Sequence, residues 1–534
     1  MAGSHLRFSK REAEFLDDRP SGVLTSGRSM LDRKRDVGNP SHTLVGVCLT
    51  VLLWLHGCTT VGASPQETPR LELVRRYVDA FNTGKPEVLA PLLEQLYAPA
   101  FLEDFGDAHV AAWQRLELYR TYGPLEIVSL DSSSTPAIVW CKGTISRGWV
   151  GHQLYLTSDS APRVTRHSIW RARPVPFPRL DLSRAQVADS LRRYLDELAQ
   201  GGLFSGSVTV SRHGERVLQG SWGDDGQPSP RPVSRETRFH IASVTKLLTV
   251  TAVLQQVQAG QLELDDTIGR WIPEYPEPYR STVRVRHLLT HTSGIELDEI
   301  PDYLSAIRLA RGANDLLRAQ LRYIAGRPPQ FTPGTEYDYT SEGIDLLAAI
   351  LERVTGRAWT HVVRERVLVP AGMERTRFAV PRNEGEWALG RTSLAPDLQT
   401  TIPGALRPAL DVLPLIAKPS AGVWSTSEEL HRFARALLEH RLLDPAWTDS
   451  LLTPKLGAGE LPRYGVRSWV GLGAQGEDLW GTRTVGHGGV VPGYSAAIEY
   501  LPRTGWLLTV VSNTGEATGF LVFQRFLELV ANPG

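Results

Sequence analysis

Cysteine is scarce in this chain: Cys48, Cys58 and Cys141 are the only three in 534 residues. They are too few and too scattered for a disulfide framework or a cysteine-rich metal site. Net charge is absent as well, with 58 basic side chains against 58 acidic ones, so no electrostatic footprint for nucleic acid is present. The 14 histidines include no His-Glu-x-x-His or other paired spacing, and no metal is expected. There is no Gly-x-Ser-x-Gly elbow, which argues against an α/β-hydrolase. Gly471-Leu472-Gly473-Ala474-Gln475-Gly476 fits G-x-G-x-x-G by letter, yet no helix pattern follows it and no acidic residue sits about 20 positions on. No dinucleotide, and no other cofactor, is expected. Lysine is rare too, at seven residues, so each one left in an apolar setting stands out.

What is present is a globular composition, 42% hydrophobic, in a chain long enough for two or three domains. The first forty residues are polar and aperiodic and read as disordered. An apolar run at 43–55 follows the basic cluster Arg33-Lys34-Arg35. It is shorter than the roughly 20 residues a spanning helix needs but suits a signal-peptide core. The run ends in Leu55-His56-Gly57-Cys58, which resembles a bacterial lipobox, with His56 where a small or β-branched residue is usual. Cys58 is therefore the expected lipidation site. The chain is expected to be exported to the periplasm or cell envelope and attached to the membrane through a lipid anchor. Met30 would give a signal of ordinary length.

Residues 1–65 are thus assigned to a disordered N-terminus and signal. Residues 66–171 read as a small α+β unit. A helix is predicted from Thr68 and Pro69 with the apolar face Leu71, Val74, Tyr77, Val78 and Phe81, ended by Asn82-Thr83-Gly84. Helical pieces at 88–96 and 110–122 come next, then four period-two strands, with Cys141 as a packed core residue. This order, and the opening Tyr77-Val78-Asp79-Ala80-Phe81-Asn82-Thr83-Gly84, resembles the ketosteroid-isomerase or nuclear-transport-factor-like cone. No acid/base pair is evident in it, so a binding or spacer role is expected. Alternate prolines in 172–180 mark a linker. Residues 181–534 form the second domain. A helix at 183–200 and a hairpin at 207–222 open it, mostly helical sequence fills its middle, and strands at 464–472, 479–485, 495–501 and 506–512 close it before a last helix. The expected class is α+β, with an antiparallel sheet assembled from both ends of the domain and flanked by helices, plus a helical subdomain.

One stretch concentrates the chemistry: Phe239-His240-Ile241-Ala242-Ser243-Val244-Thr245-Lys246, leading into an apolar run that closes at Gly260. Residues three apart on a helix share a face, so the Ser243 hydroxyl and the Lys246 amine can meet. Burial disfavours the charged form of an amine and suits it to act as a base, a role arginine cannot fill. The same four residues also fit an N-cap serine beside a snorkelling lysine.

Further motifs decide between these readings. Arg286-His287-Leu288-Leu289-Thr290-His291-Thr292-Ser293-Gly294, Pro333-Gly334-Thr335-Glu336-Tyr337-Asp338-Tyr339-Thr340-Ser341, Ser420-Ala421-Gly422-Val423-Trp424 and Gly486-His487-Gly488-Gly489-Val490 follow the Ser-x-x-Lys in order. Together they resemble the serine β-lactamase and penicillin-binding-protein superfamily, in its class C, carboxylesterase and D-aminopeptidase branch. The resemblance runs from about residue 183 to the C-terminus. It implies Ser243 as the acylated nucleophile, Lys246 as its amine partner and Tyr339 as a proton shuttle, with Tyr337 as a less favoured alternative. Ser341 stands where the family has an asparagine. His487-Gly488-Gly489 stands for the family's Lys-Thr-Gly strand, and the N–H groups of Val490 and Ser243 would form an oxyanion hole. An imidazole in place of an ammonium weakens carboxylate recognition, unless an arginine such as Arg483 substitutes. Esters or amides are thus favoured over β-lactams. His287 and His291 read as loop-fixing residues. The expected partner is a small-molecule or peptide substrate; a non-turnover penicillin- or peptidoglycan-binding sensor is the competing reading.

Overall fold

A computed structural model describes residues 67–531 apart from 104, 132–136, 158–161, 171–172, 298–299, 382–385, 395–405, 462–465 and 516–517. The apolar run at 43–55, Cys48 and the Leu55–Cys58 motif lie outside the described residues. No described helix is long and apolar enough to cross a membrane.

From Glu67 the chain winds four helices, Glu67–Asn82, Pro86–Leu96, Pro99–Glu103 and Ala108–Tyr122. Pro86 sits in the first turn of the second, where a missing N–H leaves no bond unmade. The Asp107 carboxylate caps the fourth by accepting from the Val110 N–H at 2.8 Å. The five-residue helix at Pro99 goes beyond the sequence expectation, because so short a segment carries no usable periodicity. Four strands, Leu125–Asp131, Ala137–Gly143, Trp149–Leu156 and Val164–Trp170, then pair antiparallel in chain order. Phe81, Leu89, Leu93, Tyr122, Cys141 and Val150 are fully buried between helices and sheet. Burial pushes the Cys141 thiol up to about 12, so it is an inert core residue.

The second body is an eight-stranded antiparallel sheet built from both ends of its sequence. Its C-terminal strand Trp506–Ser512 pairs with Gly206–Arg212 through Leu508↔Val210, and the hairpin partner Glu215–Trp222 forms the edge. On the other side run Tyr494–Leu501, Thr482–Val491, Gln475–Leu479, Val466–Val470 and Leu456–Leu461. The strand expected over 479–485 is interrupted at 480–481: Leu479 ends one strand and Thr482–Val485 begins the next. Trp480 and Gly481 take positive φ of 49° and 83° there, a reversal that glycine permits cheaply. One face of the sheet carries the helices Arg184–Gln200 and Thr518–Val530 through Leu191, Leu195, Val208, Leu508 and Phe526. The other receives the helical part, whose centre is Thr245–Gln258. That helix is apolar all round and buried from Thr245 to Leu254. Each such leucine or valine contributes about 1.5–3 kcal/mol by burial, which fixes what stands at its N-terminus. The two bodies touch where Leu521 enters the first core and the Gln524 amide accepts from the Trp149 N–H at 3.0 Å.

Candidate active site

Ser243 lies in a single 3-10 turn, Ala242–Val244, between the two-residue strand Phe239–His240 and the helix Thr245–Gln258. Ala242 takes φ +47°, an unfavourable conformation for alanine. What holds it is visible: the Nδ1 of buried His240 accepts from the Ala242 N–H at 3.1 Å. The His240 ring stacks on Tyr494 and meets Trp424 edge-on, both at 5.6 Å. Burial depresses the His240 imidazole to about 3, so it remains a neutral acceptor. His240 carried no expected role, although it stands only three residues before Ser243.

The Lys246 Nζ donates to the Ser243 Oγ at 3.1 Å, to the Ser420 carbonyl at 3.0 Å and to the Ser341 Oγ at 3.4 Å. All three acceptors are uncharged, and Lys246 is 1% exposed. The Ser420 carbonyl is held in place by Asp345, whose Oδ1 accepts from the Ser420 N–H at 3.0 Å. Burial raises the Asp345 carboxyl to about 6, against the opposing pull of Lys418. Asp345 is a supporting residue the sequence reading passed over; its signal was a lone acid inside the apolar run Gly343-Ile344-Asp345-Leu346-Leu347.

Tyr339 comes beside this pair from the loop ahead of the helix Glu342–Thr355, with its ring centroid 4.9 Å from the Lys246 Nζ. The ring also lies 6.1 Å from that of His487. Tyr337 differs: burial pushes its phenol well above the usual range, which makes it a poor base. His291 sits behind Tyr339, ring centroids 4.6 Å apart, and its Nδ1 accepts from the Thr340 N–H at 3.4 Å. It fixes the loop as expected, and its carbonyl also accepts from the Asp338 N–H at 2.9 Å. His287 does the same one turn earlier, capping at Arg284 and packing under Gly334.

The strand Thr482–Val491 runs past Ser243. A Cβ on Gly489 would lie 2.6 Å from the Ile241 carbonyl and 3.0 Å from the Ser243 nitrogen, so only glycine allows this approach. The Val490 amide follows at once, and the Ser243 N–H belongs to the unpaired donors of a helix start. His487 is buried two residues earlier, and its Nδ1–H donates to the Gly488 carbonyl at 2.6 Å. That fixes its tautomer: the Nε2 carries a lone pair and has no partner. Burial, then the charge of Lys246, depresses this imidazole to about 3. Arg483 does not replace the missing ammonium, because its guanidinium is engaged by the Asp478 carboxylate at 2.8 and 3.0 Å. The structure therefore brings Ser243, Lys246, Ser341, Tyr339, His487 and Gly489 together, while Cys58 lies outside the described residues.

A family model described as Beta-lactamase matches residues 191–531. Esterase EstB of Burkholderia gladioli is 34% identical over 225 residues, covering 38% of this chain and 57% of that protein; the chain thus spans little more than half of EstB. Penicillin-binding protein 4* of Bacillus subtilis (strain 168) is 28% identical over 346 residues, 62% of this chain and 72% of that protein. Among solved structures, a penicillin binding protein from Bacillus halodurans matches with a TM-score of 0.55 at 26% identity, covering 63% of this chain and 99% of that one.

Proposed function

The chain belongs to the beta-lactamase family, and we propose that it is a serine hydrolase that cleaves esters or amides lacking a carboxylate next to the scissile bond, through an acyl-enzyme on Ser243. The observation that carries this reading is the buried Lys246 amine 3.1 Å from the Ser243 hydroxyl, with only uncharged acceptors around it. As the Ser243 Oγ attacks the carbonyl carbon, its proton passes to the Lys246 Nζ, which must then be the free amine. The oxyanion forms between the N–H groups of Ser243 and Val490. Collapse expels the alcohol or amine, which takes a proton through Lys246 and Tyr339. Water then repeats the sequence on the acyl-enzyme and releases the acid. Among the described residues of the site, no free cation stands where a substrate carboxylate would bind, and the bare lone pair of His487 repels one.

The relative named esterase supports the ester end of the substrate range. The test is a fluorophosphonate label followed by intact-mass measurement, with the Ser243→Ala variant as control. A single adduct lost in Ser243→Ala is expected, and no adduct on the wild type would overturn the reading. A p-nitrophenyl ester should turn over at least about tenfold faster than a chromogenic cephalosporin. A long-lived penicillin adduct without turnover would favour the sensor reading instead. Export and lipid attachment at Cys58 are proposed from the sequence; labelled palmitate incorporation that survives Cys58→Ser would refute the anchor.

A further inference from the structure

The N-terminal unit is docked firmly on the helices Arg184–Gln200 and Thr518–Val530. The Tyr194 hydroxyl donates to the Ser146 carbonyl at 2.5 Å, and the Gln524 side chain accepts from the Trp149 N–H at 3.0 Å while donating to the Trp149 carbonyl at 3.3 Å. Leu521 enters the first core against Gly148, where a Cβ would lie 2.2 Å from its Cδ2. Such docking would suffice for a spacer.

A further contact leads elsewhere. Glu117 stands on the helix Ala108–Tyr122, its carboxylate paired with Arg120 at 2.9 Å. The same Oε1 accepts from the Ser393 hydroxyl at 2.6 Å, a length typical of a charge-assisted bond. Ser393 belongs to the second body and is fully buried, so its hydroxyl has exchanged water for this carboxylate. It follows the short strand Arg391–Thr392, which pairs with Arg407–Pro408. This strap reaches the Ser243 site three residues before Ser393. A Cβ on Gly390 would lie 2.4 Å from the Gly493 carbonyl and 2.9 Å from the Tyr494 ring, and a Cβ on Gly493 would lie 2.7 Å from the Arg391 nitrogen. Backbone meets backbone there with no side chain between, so a shift of the strap is a shift of the Gly493 turn.

That turn serves both N–H groups assigned to the oxyanion hole. It closes the hairpin between Thr482–Val491 and Tyr494–Leu501, just beyond the Val490 amide. The Tyr494 hydroxyl donates to the Ala388 carbonyl of the strap at 3.1 Å, and the Tyr494 ring stacks on His240 at 5.6 Å. His240 accepts from the N–H of Ala242, whose φ of +47° leads into Ser243. Each of these links is buried, and a close-packed interior transmits strain instead of absorbing it.

We propose that the N-terminal unit braces the Ser243 site: Glu117 and Ser393 are positioning residues that hold the strap 388–393 and, through it, Tyr494, His240 and the Ala242–Ser243 turn. The effect on rate rests on the acyl-enzyme reading of Ser243, whereas the effect on the turn rests on packing alone.

The test is hydrogen–deuterium exchange on the full-length chain, comparing wild type with Ser393→Ala, Glu117→Ala and Glu117→Gln, and following the amides of 240–244 and 488–494 against those of 206–212 in the same sheet. Exchange reports local opening, and Ser393→Ala and Glu117→Ala should speed it about tenfold in the first two segments while leaving 206–212 unchanged. Glu117→Gln keeps an acceptor for the Ser393 hydroxyl and should restore protection. In parallel, kcat for a p-nitrophenyl ester should fall about tenfold in both alanine variants with KM within about threefold of wild type. Should Ser393→Ala not fold, Glu117→Ala decides, because it leaves the strap intact. Unchanged exchange at 240–244, faster exchange in all three segments, or an unchanged kcat beside faster exchange would each overturn the brace. Exchange decides the matter even for a chain that turns over no ester, so failure of the hydrolase reading and failure of the brace are separate results.

Discussion

Two buried polar clusters, one in each body, are built from the same materials and differ in what they can do. Each has a neutral, partnerless imidazole nitrogen: the His487 Nε2 beside the sheet of the second body and the His152 Nε2 in the first. In the second body the cluster surrounds a serine and a lysine, and every acceptor on that lysine is uncharged. In the first, a chain runs from Arg115 through Tyr97 and His167 to His152, with no nucleophile along it. Burial alone, which shifts histidines in both places, is therefore no sign of catalysis. The distinguishing feature is a nucleophile whose proton has somewhere to go.

The largest test of that distinction is Lys246→Arg. It keeps a long hydrogen-bond donor in place and removes the base, because a guanidinium does not deprotonate. Turnover of a p-nitrophenyl ester should fall by roughly 10⁴-fold, as for loss of one member of a nucleophile–base unit. Activity within about tenfold of wild type would show that Lys246 only fills space. Next comes Tyr339→Phe set against Tyr337→Phe. The first should lower kcat about 100-fold by removing a proton carrier, and the second should act mainly on KM or stability because its phenol is held protonated. A reversal of the two would reassign the shuttle. Third is Gly489→Ala, whose methyl would press on the Ile241 carbonyl and the Ser243 amide. Spreading the strand from the nucleophile should cost about 100-fold in kcat, the scale of one oxyanion donor; unchanged kcat would place the oxyanion elsewhere.

The ordered motifs made the candidate site legible, because Ser243 and Lys246 share one helix turn and each remaining motif is local. The two-ended sheet was legible from alternation at both termini. Contacts between distant segments were not. His240 bracing Ala242, Asp345 holding Ser420, and Arg483 drawn off by Asp478 depend on which loops meet, and single-segment patterns carry no record of that. The break inside 479–485 was hidden for a similar reason: Trp480 and Gly481 turn inside a run whose apolar residues belong to two neighbouring strands. The polar chain of the first unit was invisible altogether, since Tyr97, Arg115, His152 and His167 lie on separate elements spread over 70 residues.

Acid and alkali should pull the two clusters apart. His152, His240 and His487 are all depressed to about 3 by burial. Their contribution is present above about pH 6.5, the ordinary histidine value, and is lost as pH falls toward 3, in both bodies alike. Glu499 has the opposite sign. It is buried on the strand beside His487, and burial raises its carboxyl to about 8. A raised carboxyl contributes stability that is full below its unfolded value of about 4.5 and is lost as pH rises through about 8, because the unfolded chain then holds fewer protons than the folded one. Alkaline destabilisation should therefore belong to the second body. Glu499→Gln cannot ionise, so its unfolding midpoint should stay flat from pH 6 to 9 while that of the wild type declines, a gap of several degrees that thermal unfolding by circular dichroism would measure. Parallel declines would show that the Glu499 carboxylate is already ionised in the folded chain, with a cation or water the buried strand must then accommodate.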